Sequence, residues 1–365
     1  MASRLAEAFA LALVLPADLE RGARASRSTA MKPVIFGLSG LTLTDDERAF
    51  YKDADAAGYI LFKRNIENRE QVRALTDSLR ELTGRDELPI LIDQEGGRVQ
   101  RMQPPEWPQF PAGPDFDRLY DIAPMSAIEA ARVNAQATAL MLAEVGVNVD
   151  CWPLLDVSQR DTTEAITIRA LGHEPMRVAA MGKAIIEGLR AGGVVGVVKH
   201  MPGHGRAVVD THFHLPTVTA SEEELEIDLE PFRRLADAPM GMTSHIVFQT
   251  WDPERPATMS PVIVEQVIRG KIGFDGLLMT DDIDMKALSG TAGEKAAGAI
   301  AAGCDIVLDC WGRMDEMREI ASLLNDMPAK SLERLDRAMA TVRGVKPQGD
   351  FAELIAKRDE LLALA

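Results

Sequence analysis

Apolar and polar positions along this chain follow two alternating rhythms. Short apolar runs of strand length occur at Val34–Leu38, Gly58–Phe62, Pro89–Asp93, Val147–Leu155, Val194–Lys199, Met240–Val247, Gly276–Asp281 and Cys304–Leu308. Near-continuous runs of this kind mark strands covered on both faces. Amphipathic stretches with helix-start signals lie between them. Thr44-Asp45-Asp46-Glu47 and Ser221-Glu222-Glu223-Glu224 have capping-box spacing. Asn68 can cap a helix reaching about Thr83, and Ser260-Pro261 opens another with proline at the first helical position. Strand–helix alternation repeated in this way predicts an α/β fold, a (β/α)8 TIM-type barrel. A doubly wound sheet is the alternative, but Gly37-Leu38-Ser39-Gly40 does not match the dinucleotide-binding turn it would carry. The expected organisation is one catalytic barrel over 31–345 with long βα loops, and a C-terminal helix over 346–365 packed on its outside.

Two connections are long. Residues 97–124 contain Pro104, Pro105, Pro108, Pro111 and Pro114, so a stiff, irregular loop is expected. Residues 201–220 follow the run Val194-Val195-Gly196-Val197-Val198. That strand must end in Lys199-His200-Met201-Pro202-Gly203-His204-Gly205, because proline lacks a donor and glycine takes turn dihedrals. Four of the six histidines, at 200, 204, 212 and 214, fall here. Both loops follow strands and so belong to the face where barrel enzymes keep their chemistry. Other strands end in polar residues too: Asp93 with Glu95, Arg98 and Arg101 behind it, Asp156 with Arg169 beyond, His245, and Asp281-Asp282. An apolar strand ending in a charge needs a partner or a ligand. Asp93, Arg101 and Lys199 can hold a substrate's hydroxyls through charge-assisted hydrogen bonds.

Composition narrows the partners. Forty Lys and Arg against 56 Asp and Glu give −16, which argues against nucleic acid and anionic membrane. Three cysteines, Cys151, Cys304 and Cys310, do not suggest a disulfide framework, so a reducing compartment is expected. Residues 1–30 differ from the rest. The apolar run from Ala8 to Ala17 is too short to span a bilayer. A signal peptide would explain Arg4 and this run, but Glu7, Asp18, Glu20 and Arg21 oppose it. The expectation is a dispensable leader with Met31 as the functional start.

The strand-end motifs carry a family resemblance. Lys199-His200-Met201-Pro202-Gly203-His204-Gly205, followed by Asp210-Thr211-His212, resembles the signature of glycoside hydrolase family 3 β-N-acetylglucosaminidases of the NagZ type. Asp93-Gln94-Glu95-Gly96-Gly97-Arg98-Val99-Gln100-Arg101 is similar to the family's sugar-binding stretch, and Thr280-Asp281-Asp282-Ile283-Asp284-Met285 to its nucleophile motif. Met242-Thr243-Ser244-His245-Ile246 and Pro256-Ala257-Thr258-Met259-Ser260 also fit, so the likeness spans about 32–345. Thr211 stands where the family commonly has serine and keeps the hydroxyl. The resemblance implies a (β/α)8 barrel with Asp281 as nucleophile and His212, assisted by Asp210, as general acid/base. It implies that Asp93, Arg101, Arg169, Lys199 and His200 bind the N-acetylglucosamine ring. It further implies release of non-reducing N-acetylglucosamine from cell-wall muropeptides by a cytoplasmic enzyme. The accompanying expectations are a monomer with a small carbohydrate substrate, no nucleic-acid or membrane partner, and no metal or other cofactor.

The chemistry is coherent without the family. Retaining hydrolysis needs a carboxylate nucleophile and a proton donor that later acts as base. Histidine suits that exchange near neutrality, and Asp210 two residues away can orient its ring. Three rivals compete. A substrate-assisted hexosaminidase would use Asp281 and Asp282 as a pair, but neighbouring strand residues point to opposite faces unless the strand has ended. A metal-dependent amidohydrolase would use the clustered histidines, yet Pro202 and Gly203 prevent a helix between His200 and His204. A non-enzymatic sugar-binding barrel would need no Asp210–His212 pair.

Overall fold

The computed structural model describes residues 31–211 and 214–365. The expected leader, residues 1–30, and the expected acid/base, His212, lie outside the described residues.

Eight parallel strands close into a barrel in chain order: β1 (Lys32–Gly37), β2 (Ala56–Leu61), β3 (Ile90–Ile92), β4 (Val149–Asp150), β5 (Val195–Met201), β6 (Met240–Thr243), β7 (Leu277–Asp282) and β8 (Ile306–Asp309). The last pairs with the first through Val34–Val307 and Phe36–Asp309, so no edge remains. The expected (β/α)8 barrel is the observed fold. Helices surround it: α1 (Asp45–Ala54), α2 (Arg69–Thr83), α3 (Gly113–Ile122), α4 (Pro124–Glu144), the single turn α5 (Glu164–Thr167) beside the cavity, α6 (Pro175–Ala191), α7 (Glu222–Arg234), α8 (Ala292–Ala302), α9 (Met314–Leu323), α10 (Ala329–Ala340) and α11 (Phe351–Leu362). Between β6 and β7 the segment Ile263–Ile272 is wound with a wider π-type turn. Helix α11 packs on α4 and α3.

The start signals act as the residue types dictate. Thr44 and Ser221 each form a capping box with a glutamate three residues on. Asn68 Oδ1 accepts from the Gln71 N–H at 2.9 Å and opens α2, which ends at Thr83. The proline-rich connection is more ordered than expected. Gln94–Gly96 pairs antiparallel with Val99–Gln100, and Gly113–Ile122 is helical. Proline is compatible with a helix's first turn, and the Asp115 carboxylate accepts from the Ala112 N–H at 2.7 Å, satisfying the helix start. The sixth strand is shorter than its apolar run. Val247–Phe248 leaves the barrel and pairs with Thr217–Val218.

Strand parity builds the core and the site together. Ile35, Leu91, Val149, Val195, Val197, Met240, Met242, Leu277, Met279, Ile306 and Leu308 form one buried cluster, distinct from the layer between sheet and helices. Successive strand residues alternate faces. Continuing each inward set upward by two residues therefore delivers Asp93, Lys199, Asp281 and Cys310 to the barrel mouth, and Ile60 likewise leads to Phe62.

Candidate active site

A cavity of about 800 Å³ opens at the C-terminal ends of the strands, and Phe62, Asp93, Lys199, Asp281 and Cys310 all line it. Arg101, Arg169, His200 and Asp210 line it as well. Every described residue that the sequence nominated thus faces one space. Thr211 is buried there, its hydroxyl 3.4 Å from His204 Nε2.

The floor is a continuous chain of charges. Arg101 donates to Asp93 at 2.9 Å, and Lys199 Nζ lies 3.1 Å from Asp93 and 2.7 Å from Glu95. Glu95 in turn accepts a two-pronged pair from Arg169 at 2.6 and 2.8 Å. Burial alone would raise both carboxyls, but Lys199 and Arg101 hold Asp93, and Arg169 and Lys199 hold Glu95, below the usual carboxylate range. Burial would likewise discharge Lys199, and Glu95 and Asp93 instead raise it above its ordinary value. All members stay ionised near neutrality. They present fixed donors and acceptors to a polyhydroxylated ligand.

A second network holds the loop after β5. The β5–β6 register shifts between Val198 and Met201, and His200 faces the same cavity as Lys199. Asp156 accepts from the backbone N–H groups of His200 and His204 at 3.1 and 2.7 Å, and its other oxygen is 2.8 Å from His200 Nδ1. A carboxylate partner places the proton on Nδ1. Burial would raise Asp156, but His200 holds it at about 2. His204 is pushed down to about 4 by burial and by His200, and is neutral. Gly205 allows this loop to approach the strand-four side, since a Cβ there would meet the Val157 carbonyl oxygen at 1.9 Å.

Asp281 stands over the floor at the end of β7. Burial would raise its carboxyl, yet His200, His245 and the Asp282 N–H, which donates to it at 2.8 Å, keep it below the ordinary aspartate value. His245 is buried and donates from Nε2 to the Asp282 carbonyl at 2.9 Å, which fixes the backbone beside Asp281. The expectation that only one of Asp281 and Asp282 would face the ligand needs correction. Both line the cavity, because the β7–β8 register shifts between Met279 and Asp282 and the alternation breaks there. Burial pushes Asp282 up to about 6, so adjacent carboxyls are driven apart in proton affinity.

Several of these residues have no positioning role on sequence alone, although Glu95, like Asp282, is a reserve candidate for the acid/base. Glu95 and Asp156 were visible as strand-end acids, but only contact shows that they position Lys199, Arg169 and His200. Phe62 and Trp311 also line the cavity. Parity along β2 signals Phe62, and Trp311 follows Cys310 directly. Among the described residues, no three His, Cys, Asp or Glu side chains are grouped to hold a metal ion.

Comparison with known proteins bears on this geometry. The family model of the glycosyl hydrolase family 3 N-terminal domain matches residues 29–344. A beta-hexosaminidase of Chromobacterium violaceum is 36% identical over 338 residues, 91% of this chain and 92% of the relative. One from Alkalilimnicola ehrlichii is 38% identical over 283 residues, 76% of this chain and 80% of the relative. The crystal structure of NagZ from Neisseria gonorrhoeae, in complex with N-trifluoroacetyl-D-glucosamine, superposes with a TM-score of 0.81 at 30% identity, covering 92% of this chain and 98% of that one.

Proposed function

This chain belongs to glycosyl hydrolase family 3 and is a β-N-acetylhexosaminidase, and from that premise we propose how and on what it acts. It removes non-reducing N-acetylglucosamine from peptidoglycan-derived muropeptides, N-acetylglucosaminyl-1,6-anhydro-N-acetylmuramyl peptides, as a retaining exo-enzyme of cell-wall recycling. The observation that carries the reading is Asp281: an ionised carboxylate, half-buried at the end of β7, facing the cavity whose floor is the Arg101–Asp93–Lys199–Glu95–Arg169 chain. Free, buried Cys151, Cys304 and Cys310 agree with action in the cytoplasm, and the enzyme works as a monomer.

In the first step Asp281 attacks the anomeric carbon, the glycosidic C–O bond breaks, and the leaving oxygen takes a proton from His212. In the second, His212 accepts a proton from water, the water oxygen bonds the anomeric carbon with net retention, and the Asp281 ester bond breaks. Asp210 orients His212. Asp93, Arg101, Arg169, Lys199 and His200 bind the sugar, by charge-assisted hydrogen bonds that are among the stronger ones available. Metal assistance has no assigned part.

Two variants test the scheme. Asp281→Asn should abolish turnover and leave the fold intact, and a 2-fluoro or 5-fluoro glycoside should label Asp281 in the unaltered enzyme. A labelled peptide carrying another residue overturns the nucleophile. His212→Ala should slow natural disaccharides far more than activated nitrophenyl glycosides, since nitrophenolate departs without a proton. Azide should then speed release and yield a glycosyl azide of retained configuration. Equal slowing of both substrate types, with no azide effect, moves the acid/base role to Asp282, which lines the cavity and is pushed up to about 6. Glu95 is a poorer substitute, being locked to Arg169 and Lys199.

A further inference from the structure

Along one side of the cavity, which Arg101, Phe62 and Trp311 line, guanidinium groups and aromatic rings alternate toward the rim, with Arg64 and Arg313 set against the lining rings. Arg101, bound to Asp93 at the floor, lies 5.0 Å from the centre of the Phe62 ring. Arg64 is 5.1 Å from Phe62 and 5.7 Å from Trp311, and Arg313 is 5.6 Å from Trp311. Exposure grows outward: the Arg101 side chain is 29% exposed, that of Arg313 46%, and Trp311 is 50% exposed. Trp107 and Trp152, by contrast, are buried. Two anchored guanidinium groups flank the outer indole. Arg64 donates to the carbonyls of Leu38, at 2.8 Å, and Cys310, while Arg313 pairs with Asp284 at 2.5 Å and Glu316 at 2.6 Å.

We propose that Trp311 is the platform of a leaving-group subsite, stacking against the apolar face of a pyranose ring attached to the released sugar. This rests on the hexosaminidase reading of the same cavity. Three observations lead to it. Trp311 lines the cavity yet stands outside the charge network that the terminal sugar uses. It offers a large apolar surface beside cations already tied to other acceptors, so the surface it presents is chiefly for ring contact. Its anchored neighbours mean that little side-chain freedom is lost when a ring settles on it. The subsite therefore selects ring-shaped leaving groups over short acyclic ones.

The test compares N,N′-diacetylchitobiose with methyl N-acetyl-β-glucosaminide. Trp311→Ala should lower the ratio of their kcat/KM values roughly three- to tenfold, the size expected of one stacking contact. Trp311→Phe should recover most of the ratio. Inhibition by free N-acetylglucosamine, which fills only the deep site, should shift less than about twofold. An unchanged ratio overturns the platform. Equal weakening of N-acetylglucosamine inhibition also overturns it, because Trp311 would then serve the deep site. A separate reading does not need turnover: in Asp281→Asn protein, chitobiose should change tryptophan fluorescence, and the change should vanish when Trp311→Phe is added. No change overturns the platform even in an active hexosaminidase. A change in a protein that cleaves no N-acetylglucosaminide overturns the hexosaminidase reading and keeps the platform.

Discussion

Glu95 shows how much one buried acid can organise. Its carboxylate accepts from both Arg169 and Lys199, and the residue is almost fully buried. Removing one member of such a network strands buried charge, at a cost of about 3–5 kcal/mol. Glu95→Gln should therefore lower the urea-unfolding free energy by about 3 kcal/mol. It should also weaken N-acetylglucosamine inhibition, because Lys199 and Arg169 lose the partner that aims them. Normal stability together with normal inhibition would mean that the cations orient one another without it. In the sequence, Glu95 is one acid in a run of polar residues. Nothing in its spacing reveals that it joins two cations brought from 74 and 104 positions away. Asp93, Lys199 and Asp281 are more legible, because each continues an inward parity set by apolar residues two and four places before it.

On the proposed mechanism the segment after β5 carries the acid/base pair, and its start is shaped both by the Asp156 carboxylate and by tight passage at Gly205. Asp156 clamps its start through two backbone N–H groups, and Gly205 lets it pass the Val157 carbonyl. A methyl group at Gly205 has no room, so Gly205→Ala must push the segment away from β4. Asp210 lies five residues further on. Displacements near 1 Å in catalytic groups cost on the order of 10²-fold in rate. Gly205→Ala should thus depress kcat by about that factor, while N-acetylglucosamine inhibition, set by the floor, changes little. Loss of both together would show that the floor and this segment move as one. Proline and glycine in Lys199-His200-Met201-Pro202-Gly203-His204-Gly205 make the end of the strand plain from sequence. Which carbonyl Gly205 must clear is a fact of two distant segments.

Closing the sheet also buries acids that do not line the cavity, Asp150 and Asp309, and these predict a response to pH. Asp150 and Asp309 each have one carboxylate oxygen buried without a hydrogen-bond partner. Burial raises them to about 8 and about 7, and Asp282 to about 6. A raised carboxyl binds more protons in the folded state than in the unfolded one, so stability falls as pH rises from the ordinary aspartate range through these values. His204, pushed down to about 4, works the other way: its contribution is complete above about 6.5 and is lost as pH falls toward 4. The acids outnumber it, and a net charge of −16 adds repulsion at higher pH. The thermal midpoint should therefore be at least ~3 °C higher at pH 5.5 than at pH 8, a shift of about 2 kcal/mol for a chain of 365 residues. Asp150→Asn and Asp309→Asn should flatten the slope. A midpoint that rises between those pH values would show that the acids find partners on ionisation.

Local regularities carried a great deal here. Eight apolar runs, helix caps at Thr44, Asn68 and Ser221, and polar residues at strand ends point to the barrel and to its working face. They do so because strand burial, capping and parity are short-range rules that each stretch of chain obeys on its own. The motif resemblance added the nominated site, and the described members of that set share one cavity. Other features arise only when the barrel closes. The ordering of the proline-rich connection, the shared face of Asp281 and Asp282, the hidden ties through Glu95 and Asp156, and the aromatic wall ending in Trp311 all depend on which segments become neighbours. Register shifts and long-range pairing of charges are settled by the packing of strands far apart in sequence, and no local pattern encodes them.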